Sequence, residues 1–278
     1  MSERNAAEFN VVVKTLIANH LVGRNTGHKM GAIDESYDVA ALNTGGNHAL
    51  LLNAARQFYA EPVRRGKGMN ILLHGAPGSG KTEFVKYIAA TIGRDILFKR
   101  GSDLLEMYVG QTEKLIAAAF GEAQAHEAIL LIDEADTFFL ARERAERNWE
   151  ISHTNEFLNQ MENHSCLVFC CTNFIAHLDR ASLRRFHFKL EFLPLDHKKA
   201  AALFRSYFDE FVEALPADME IESALNRVGN LTPGDFRAVR QRLQFCERAS
   251  FTWMQIIHEL VSEVRYKTED RRIRGFGT

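Results

Sequence analysis

The sequence contains no long hydrophobic run and no strong excess of either charge. No apolar stretch approaches the ~20 residues that a membrane-spanning helix needs, and residues 1–5 lack the apolar core of a signal peptide. The 278 residues carry a net charge of −2, which gives no sign of an extended basic surface for nucleic acid. We therefore expect a soluble, cytoplasmic protein with no membrane partner.

Cysteine is scarce, with four residues, and none of them has the spacing of a metal site. Cys170 and Cys171 lie inside an apolar run, so we expect buried thiols in a reducing compartment. We find no internal repeat and no low-complexity segment. The composition is that of an ordinary globular protein, 46% hydrophobic and 25% charged, with enough apolar material for a core.

The most informative stretch runs from Asn70 to Thr82. An apolar strand precedes Gly75–Thr82, which fits the phosphate-binding pattern G-x-x-x-x-G-K-[ST]. Its glycines let successive N–H groups turn towards phosphate oxygens, and the next helix directs its positive dipole end at the same anion. The pattern predicts that Lys81 reaches the β and γ phosphates of ATP and that Thr82 binds Mg²⁺. The expected nucleotide contacts are Gly75, Ala76, Pro77, Gly78, Ser79, Gly80, Lys81, Thr82 and Glu83.

Strands and helices alternate beyond this loop. Apolar runs predict strands at 71–73, 96–99, 128–132, 166–171 and 189–192, with helical periodicity between them and a helix-like segment at 102–108. This alternation predicts an α/β fold with a parallel sheet between helices. From Pro194 onwards the pattern is entirely helical. We expect four regions: an N-terminal helix and linker (1–36), an α/β nucleotide-binding domain (37–194), a helical lid (195–250), and a C-terminal helix and tail (251–278).

Polar residues follow two of the predicted strands. Asp133 is placed to hold Mg²⁺ through water, and Glu134 to polarise a water for attack on the γ-phosphate. Asn173 would lie near the same water. These residues favour an ATPase over a kinase, because a kinase has no use for a water-activating carboxylate. Arg184 and Arg185 are suited to neutralising charge on a transferring phosphoryl group, although paired arginines on a loop are also common as solvated groups.

Together these segments resemble the AAA+ ATPases, and specifically the AAA clade. The similarity extends from residue 37 to about 248. It rests on Walker A (Gly75–Thr82), Walker B (Ile129–Asp136), sensor 1 (Thr172–Asn173), the second region of homology (Leu178–Phe186) and a segment like the first pore loop (Leu104–Lys114). The resemblance implies a P-loop NTPase sheet of order 5-1-4-3-2 and a small all-helical lid. It also implies ATP and Mg²⁺ as cofactors and a homo-oligomer, usually a hexameric ring, that remodels or threads protein substrates.

The resemblance assigns roles to further residues. Arg184 and Arg185 match the arginine fingers that reach the γ-phosphate of the neighbouring subunit. Tyr108 and Val109 match the residues that line the pore and grip polypeptide, although Tyr108 could instead be a core aromatic. Asp38 matches the entry to the nucleotide site near the adenine. Residues 141–149 fall where a second pore loop lies, and a solvated helix end is equally compatible with them.

The sequence also departs from the family pattern. The family has Pro-Gly between its two arginines, whereas here they are adjacent, so either could be the finger. The Asp that normally follows Arg-Phe is His187. Gly234 fits the small residue expected at the sensor 2 position of the lid, and Arg237 or Arg240 could touch phosphate instead.

Other functions stay open at this stage. A nucleic-acid-associated AAA+ ATPase or loader is disfavoured by the net charge and by the lack of aromatic–basic interleaving. A scaffold that binds ATP without turnover is disfavoured by the intact set of Asp133, Glu134 and Asn173. A built-in zinc protease is not expected, because Ser262 replaces the second His of H-E-x-x-H. We expect a protein substrate or adaptor as partner, whose identity no segment of the sequence indicates.

Overall fold

The structure, a computed structural model, describes residues 42–60, 67–108, 110–139, 148–247 and 250–273. The chain divides into two compact units. The first contains the described parts of 46–75 and 81–191, and the second contains 42–45, 76–80 and the described parts of 192–273. The predictions made for 1–36, Asp38, Val109 and 141–147 lie outside the described residues. The predicted domain boundaries stay predictions.

A five-stranded sheet has the order β2-β3-β4-β1-β5, which confirms the predicted order 5-1-4-3-2. Three pairings, β1 with β4, β3 with β4 and β2 with β3, are parallel. Because parallel strands end at the same edge of a sheet, the residues that follow β1, β3 and β4 are brought together. The strands are β1 (Met69–Gly75), β2 (Ile96–Arg100), β3 (Ile129–Asp133), β4 (Leu167–Thr172) and β5 (Phe188–Phe192).

Helices alternate with these strands, as predicted. Among the described residues, none of the helices combines the length and the apolar character that a membrane span requires. Short 3₁₀ helices follow β2, β3 and β4, at Gly101–Leu104, Ala135–Phe138 and Ile175–His177. The α-helices up to β5 are α1 (His48–Ala60), α2 (Lys81–Ile92), α3 (Gln111–Ala125), α4 (Asn148–Asn163) and α5 (Arg180–Leu183).

The core of the first unit is apolar and aromatic. All six residues of β4 are buried, as expected for a strand that is covered on both faces. Phe157 of α4 lies at the centre of an aromatic cluster, with ring centroids 5.6 Å from Phe120, 5.0 Å from Phe138 and 5.0 Å from Phe139. Such pairs contribute about 0.5–1.5 kcal/mol each beyond their buried area. The cluster thus fixes α4 to α3 and to the turn after β3.

The second unit has its own helical core. Phe208 stacks on Phe236 with ring centroids 6.1 Å apart. The helix that begins at Pro233 is capped at its start: Pro233 occupies the first turn, and Asp235 accepts hydrogen bonds from the N–H and the hydroxyl of Thr232 at 2.8 and 2.9 Å. The helices are α6 (His197–Phe208), α7 (Asp218–Leu225), α8 (Pro233–Leu243) and α9 (Trp253–Ile273).

The segment 102–108 differs from its prediction as a helix. Only the single 3₁₀ turn Gly101–Leu104 forms, and Leu105 has extended backbone. The Asp103 carboxylate accepts a hydrogen bond from the N–H of Arg100 at 2.8 Å. This capping closes the turn locally, whereas the extended chain beyond it is held by Thr112, as described below.

A buried polar network joins the start of β1 to the end of α4. The ring Nε2 of His164 lies 2.7 Å from Asn70 Oδ1, and the N–H of Cys166 donates to His164 Nδ1 at 3.2 Å. Because Nδ1 accepts, the ring proton resides on Nε2 and is donated to Asn70. Burial lowers the pKa of His164 to about 4, and the neighbouring His187 acts in the same direction. The imidazole is therefore neutral in the folded protein at neutral pH.

We predict that acidification destabilises the protein through His164. Its pKa is 6.5 in an ordinary setting and about 4 in the folded protein, so below pH 6.5 the unfolded chain binds a proton that the folded chain excludes. The stability is complete above that pH and falls by about 3 kcal/mol as the pH approaches 4. Urea unfolding at several pH values measures this. His164→Gln, whose amide still donates to Asn70, should lack this part of the slope; an unchanged slope would contradict the prediction.

Candidate functional site

The loop between β1 and α2 has a backbone suited to an anion. Gly78 and Gly80 have φ values of 74° and 97°, which side chains rarely tolerate, and such turns direct N–H groups into a concave nest. The Ser79 hydroxyl is buried and has no hydrogen-bond partner in the described part of the chain. A buried polar group of this kind needs a partner. A phosphate group bound in the loop would supply it.

Within the second unit, this loop contacts the start of α8. The N–H of Gly234 donates to the carbonyl oxygen of Gly78 at 2.8 Å. A Cβ atom at position 234 would lie 2.8 Å from the Cα of Gly78, so no larger residue fits. This contact is a physical reason for the small residue at this position. Arg240, a candidate for phosphate contact, is instead bound to Glu210 at 3.1 Å and lies over the ring of Tyr207.

Lys81 is the first residue of α2 and is only 7% exposed. Its Nζ donates to the carbonyl of Gly75 at 2.9 Å and to Asn173 Oδ1 at 2.7 Å. Burial lowers the pKa of this ammonium group, while Cys171 and Asp133 act in the opposite direction. The structure thus brings two predicted site residues, Lys81 and Asn173, into direct contact.

The two predicted Mg²⁺ ligands also meet. The hydroxyl of Thr82 donates to Asp133 Oδ2 at 3.2 Å. Hydroxyl and carboxylate oxygens suit Mg²⁺, which takes few protein ligands and completes its shell with water and phosphate. No cluster of three or more His, Cys, Asp or Glu side chains suited to a metal ion occurs among the described residues. Glu83, a predicted nucleotide contact, pairs with Lys86 on the same helix at 2.8 Å.

Glu134 follows β3 in an uncommon conformation. Its φ of 56° lies in the left-handed region, where a residue other than glycine pays roughly 1 kcal/mol or more. Its N–H donates to Asp133 Oδ1 at 3.0 Å, which stabilises the turn. Its side chain is exposed. A strained backbone that is retained beside a cluster of polar residues is typical of a functional position.

Asn173 is oriented by its two neighbours in the chain. The hydroxyl of Thr172 donates to Asp136 Oδ1 at 3.0 Å and accepts from the N–H of Phe174 at 3.0 Å. Thr172 is 1% exposed, so these bonds are shielded from water. They tie the end of β4 to the turn after β3. Asn173 and Glu134 therefore follow strand ends that are fixed to each other.

Arg184 and Arg185 follow α5, whose first turn is capped by Asp179. Both arginines are exposed. The guanidinium of Arg185 forms an ion pair with Glu162 near the end of α4. No partner for the guanidinium of Arg184 is found in the described part of the chain. The two arginines, which the sequence could not distinguish, therefore differ in the structure: the guanidinium of Arg185 is paired within the chain and that of Arg184 is not.

Tyr108 lies on the surface and not in the core. It is 68% exposed and its neighbour Met107 is 93% exposed. The base of this loop is fixed by Thr112, which is fully buried: its hydroxyl accepts from the N–H of Glu106 at 2.9 Å and donates to the carbonyl of the same residue at 3.4 Å. An exposed tyrosine and an exposed methionine are thus held on an anchored loop.

Sequence reasoning assigned no role to several residues that support the site. Glu162 and Asn70 act through partners that are distant in the chain, so no local motif marks them, whereas Thr112 binds Glu106, which is close in the chain. Two signals were available. Thr112 stands at a helix start, and Asn70 is a polar residue at the beginning of an otherwise apolar strand.

The strand order, the glycine loop after β1 and the carboxylates after β3 define a P-loop nucleotide-binding domain. Residues 71–193 match the family described as "ATPase family associated with various cellular activities (AAA)". The chain therefore carries a AAA domain over these residues and is related to the AAA ATPases, which confirms the resemblance seen in the sequence.

Several characterised proteins are similar to this chain. Fidgetin-like protein 1 of Drosophila melanogaster is 30% identical over 171 residues, which cover 59% of this chain and 32% of that protein. The 26S proteasome subunit RPT4 of Saccharomyces cerevisiae is 36% identical over 122 residues (41% and 28%). Vacuolar protein sorting-associated protein 4A of Homo sapiens is 35% identical over 143 residues (49% and 32%). The chain thus spans about a third of the length of these relatives.

We predict that Lys81→Met weakens ATP binding by about 10- to 100-fold, the range expected for the loss of a charge-assisted hydrogen bond. Burial lowers the pKa of Lys81, so its ammonium group loses its proton at a pH below the ordinary lysine value of 10.5. The ATP affinity of the unmutated protein should therefore decrease as the pH is raised towards that value. Titration with a fluorescent ATP analogue from pH 7 upwards measures both effects.

Lys99→Met removes a lysine whose nearest carboxylate, Glu122, is 3.9 Å away, and it serves as the control. It should bind ATP as the unmutated protein does. Equal affinity of the Lys81→Met variant would show that the phosphates bind elsewhere.

Proposed function

We propose that this protein is an ATP-hydrolysing motor that assembles into a ring and remodels or threads protein substrates through a central pore. The observation that carries the proposal is the pairing of Lys81 with Asn173 and of Thr82 with Asp133. The match to an ATPase family supports the same activity. The relationship to a proteasome subunit and to a vacuolar protein sorting protein supports action on proteins.

Each residue of the site has a part in hydrolysis. The glycine loop and Lys81 bind the β and γ phosphates. Thr82 and Asp133 would hold Mg²⁺, which neutralises phosphate charge when bound. Glu134 acts as the general base for the attacking water, and its exposed position after β3 leaves it accessible to that water. Asn173 orients the same water from the end of β4.

An arginine from the neighbouring subunit would complete the site. Arg184 and Arg185 are exposed on the segment before β5. A guanidinium at the γ-phosphate stabilises the charge of the transition state and is worth about 10³–10⁵ in rate for nucleotide hydrolases. A head-to-tail interface that brings this segment to the next glycine loop closes into a ring. Hydrolysis would therefore depend on assembly.

The exposed loop with Met107 and Tyr108 supports protein threading. An aromatic ring and a flexible thioether pack against many side chains without demanding a particular sequence. The buried hydroxyl of Thr112 fixes the base of the loop, so that a movement of α3 would be transmitted to Tyr108. The net charge of −2 gives no support to the alternative of a nucleic-acid loader.

We predict that Glu134→Gln binds ATP but hydrolyses it at least about 100-fold more slowly, since general base catalysis contributes about 10²–10⁴ in rate. Phosphate release and ATP affinity are measured on the same sample. Sedimentation with ATP should show the variant held in the assembled state.

Glu122→Gln, which changes a carboxylate on α3, is the matched control and should hydrolyse ATP normally. Rapid turnover by Glu134→Gln would place the base elsewhere. Failure of the protein to assemble with ATP would exclude the ring.

We predict that Tyr108→Ala weakens the binding of fluorescein-labelled casein, an unfolded protein, by at least about tenfold. The substitution is made in the Glu134→Gln variant and compared with that variant alone, both in the presence of ATP. Fluorescence anisotropy measures the affinity. Tyr266→Ala removes a tyrosine of nearly equal exposure, 69%, from α9 and should have no effect. Undiminished casein binding by Tyr108→Ala would reject the gripping role, and salt-sensitive binding of a labelled oligonucleotide in its place would support the nucleic-acid alternative.

A further inference from the structure

We propose that Asn70 is a positioning residue for the interface arginines, which fixes the segment Arg185–His187 to β1 so that Arg184 is presented to the neighbouring subunit. The inference rests on the proposed function, in which an arginine of one subunit completes the ATP site of the next. It adds Asn70 of β1 as a buried residue that positions the interface segment, and it identifies Arg184 as the arginine that contacts the neighbouring ATP site.

Asn70 holds the segment through three hydrogen bonds. Its backbone N–H donates to His187 Nδ1 at 3.0 Å, and its carbonyl accepts from the N–H of His187 at 2.9 Å. Its side-chain Nδ2 donates to the carbonyl of Arg185 at 3.2 Å. The two residues on either side of Phe186, itself 3% exposed, are thus bound to the same strand residue. This arrangement fixes the backbone that carries the arginines.

The same side chain also binds the end of α4. Its second N–H donates to the carbonyl of Met161 at 2.9 Å, and Oδ1 accepts from His164 at 2.7 Å. Asn70 is 2% exposed, so these bonds form away from water. An asparagine side chain offers two donors and one acceptor group, and here two carbonyls and one ring N–H use all of them. Neither aspartate nor leucine could replace it at this length.

The contacts of Asn70 and of the end of α4 distinguish the two arginines. Arg185 is held at its carbonyl by Asn70 and at its guanidinium by Glu162, which is adjacent in the chain to Met161. Glu162 belongs to the end of α4, and Asn70 is bound to the same end through Met161, so the side chain of Arg185 is directed back onto its own subunit. Arg184 is exposed, and its guanidinium has no partner in the described part of the chain. It is therefore the arginine that is available to a neighbouring ATP site.

Asn70 is too far from the glycine loop of its own subunit to act there directly. It is the second residue of β1, and the loop begins after the last residue, Gly75. At about 3.3 Å per residue the two are roughly 16 Å apart along the strand. An effect of Asn70 on hydrolysis must therefore act through the arginine segment, on the site of the next subunit.

Cys166, His164 and Asn70 resemble a Cys-His-Asn catalytic set, because Cys166 Sγ lies 3.3 Å from His164 Nδ1. The charges do not fit that chemistry. Burial raises the pKa of the Cys166 thiol to about 12 and lowers the pKa of His164 to about 4, so both groups are neutral at pH 7. Cys166 is also only 3% exposed. The network is thus suited to holding structure and not to nucleophilic attack.

The first test is Asn70→Asp in the full chain. A carboxylate keeps the size of the side chain but loses both donors to the carbonyls of Met161 and Arg185. We expect ATP affinity to stay within about twofold, and kcat to fall at least about tenfold, since small displacements of catalytic groups have effects of this size. Melting temperature and assembly with ATP are recorded alongside. Unchanged kcat in a folded, assembled variant would overturn the proposal.

The second test uses mixed rings and separates this proposal from the proposed function. Lys81→Met subunits cannot bind ATP at their own loop but carry intact arginines. Mixed equally with Asn70→Asp subunits, they should restore hydrolysis to about a quarter of the unmutated rate, the fraction of interfaces at which an intact loop meets an intact arginine segment. No restoration would place the defect inside the subunit and overturn the role of Asn70.

The matched mixture pairs Arg184→Ala with Lys81→Met. Restoration in this mixture together with unchanged kcat of Asn70→Asp would leave the shared ATP site standing and reject Asn70 alone. Absence of restoration here would reject the shared site itself. Arg185→Ala should reduce kcat less than Arg184→Ala does; the reverse order would overturn the selection of Arg184.

His187→Ala provides a variant at an exposed position, should Asn70→Asp fail to fold. It removes the acceptor for the N–H of Asn70 and should lower kcat with ATP affinity unchanged. His187→Asn, whose Oδ1 can take the place of Nδ1, should restore kcat. A general loss of structure would not be rescued by His187→Asn. Equal kcat in the unmutated protein and in both His187 variants would contradict the positioning role of Asn70.

Discussion

The buried ammonium group of Lys81 is the interaction on which the site depends. Removing this charge from water is costly, and its retention requires close acceptors. Gly75 at the end of β1 and Asn173 after β4 supply them. Since β1 and β4 are adjacent and parallel, both acceptors arise at one edge of the sheet. The strand order is therefore what allows the buried ammonium group to be paired. Lys81 marks the edge of the sheet at which the other polar residues of the site also lie.

Strain at this edge is compensated by the polar groups around it. Glu134 adopts a left-handed backbone conformation, and Asp133 binds both its N–H and the hydroxyl of Thr82. Thr172 binds Asp136 in the turn that follows. The bonds Thr82–Asp133 and Thr172–Asp136 connect residues from different elements, whereas the Glu134–Asp133 bond closes the turn locally. Hydrogen bonds thus connect the ends of β3 and β4 and the first turn of α2 beside the candidate nucleotide site.

The sheet order could be predicted from the resemblance to a known family, and Lys81, Thr82, Asp133 and Asn173 could be selected as site residues because short local motifs contain them. The motifs specify both residue type and position at strand ends. Supporting contacts could not be predicted, since they join residues far apart in the chain: Asn70 binds Arg185, 115 positions away. The segment 102–108 was wrongly predicted as a helix because its apolar spacing is helical, whereas a local cap and the bond between Thr112 and Glu106 decide its conformation.

Strand β1 has a separate polar role at each end. Its carboxyl end leads into the glycine loop of the candidate nucleotide site, and Asn70 near its amino end is bound to Arg185 and His187, which follow Arg184. Between them Ile71, Leu72 and Leu73 are fully buried, and packed strands of this kind do not deform gradually. Under the proposed function, β1 therefore joins the glycine loop of one ATP site to the arginine segment that would complete the next.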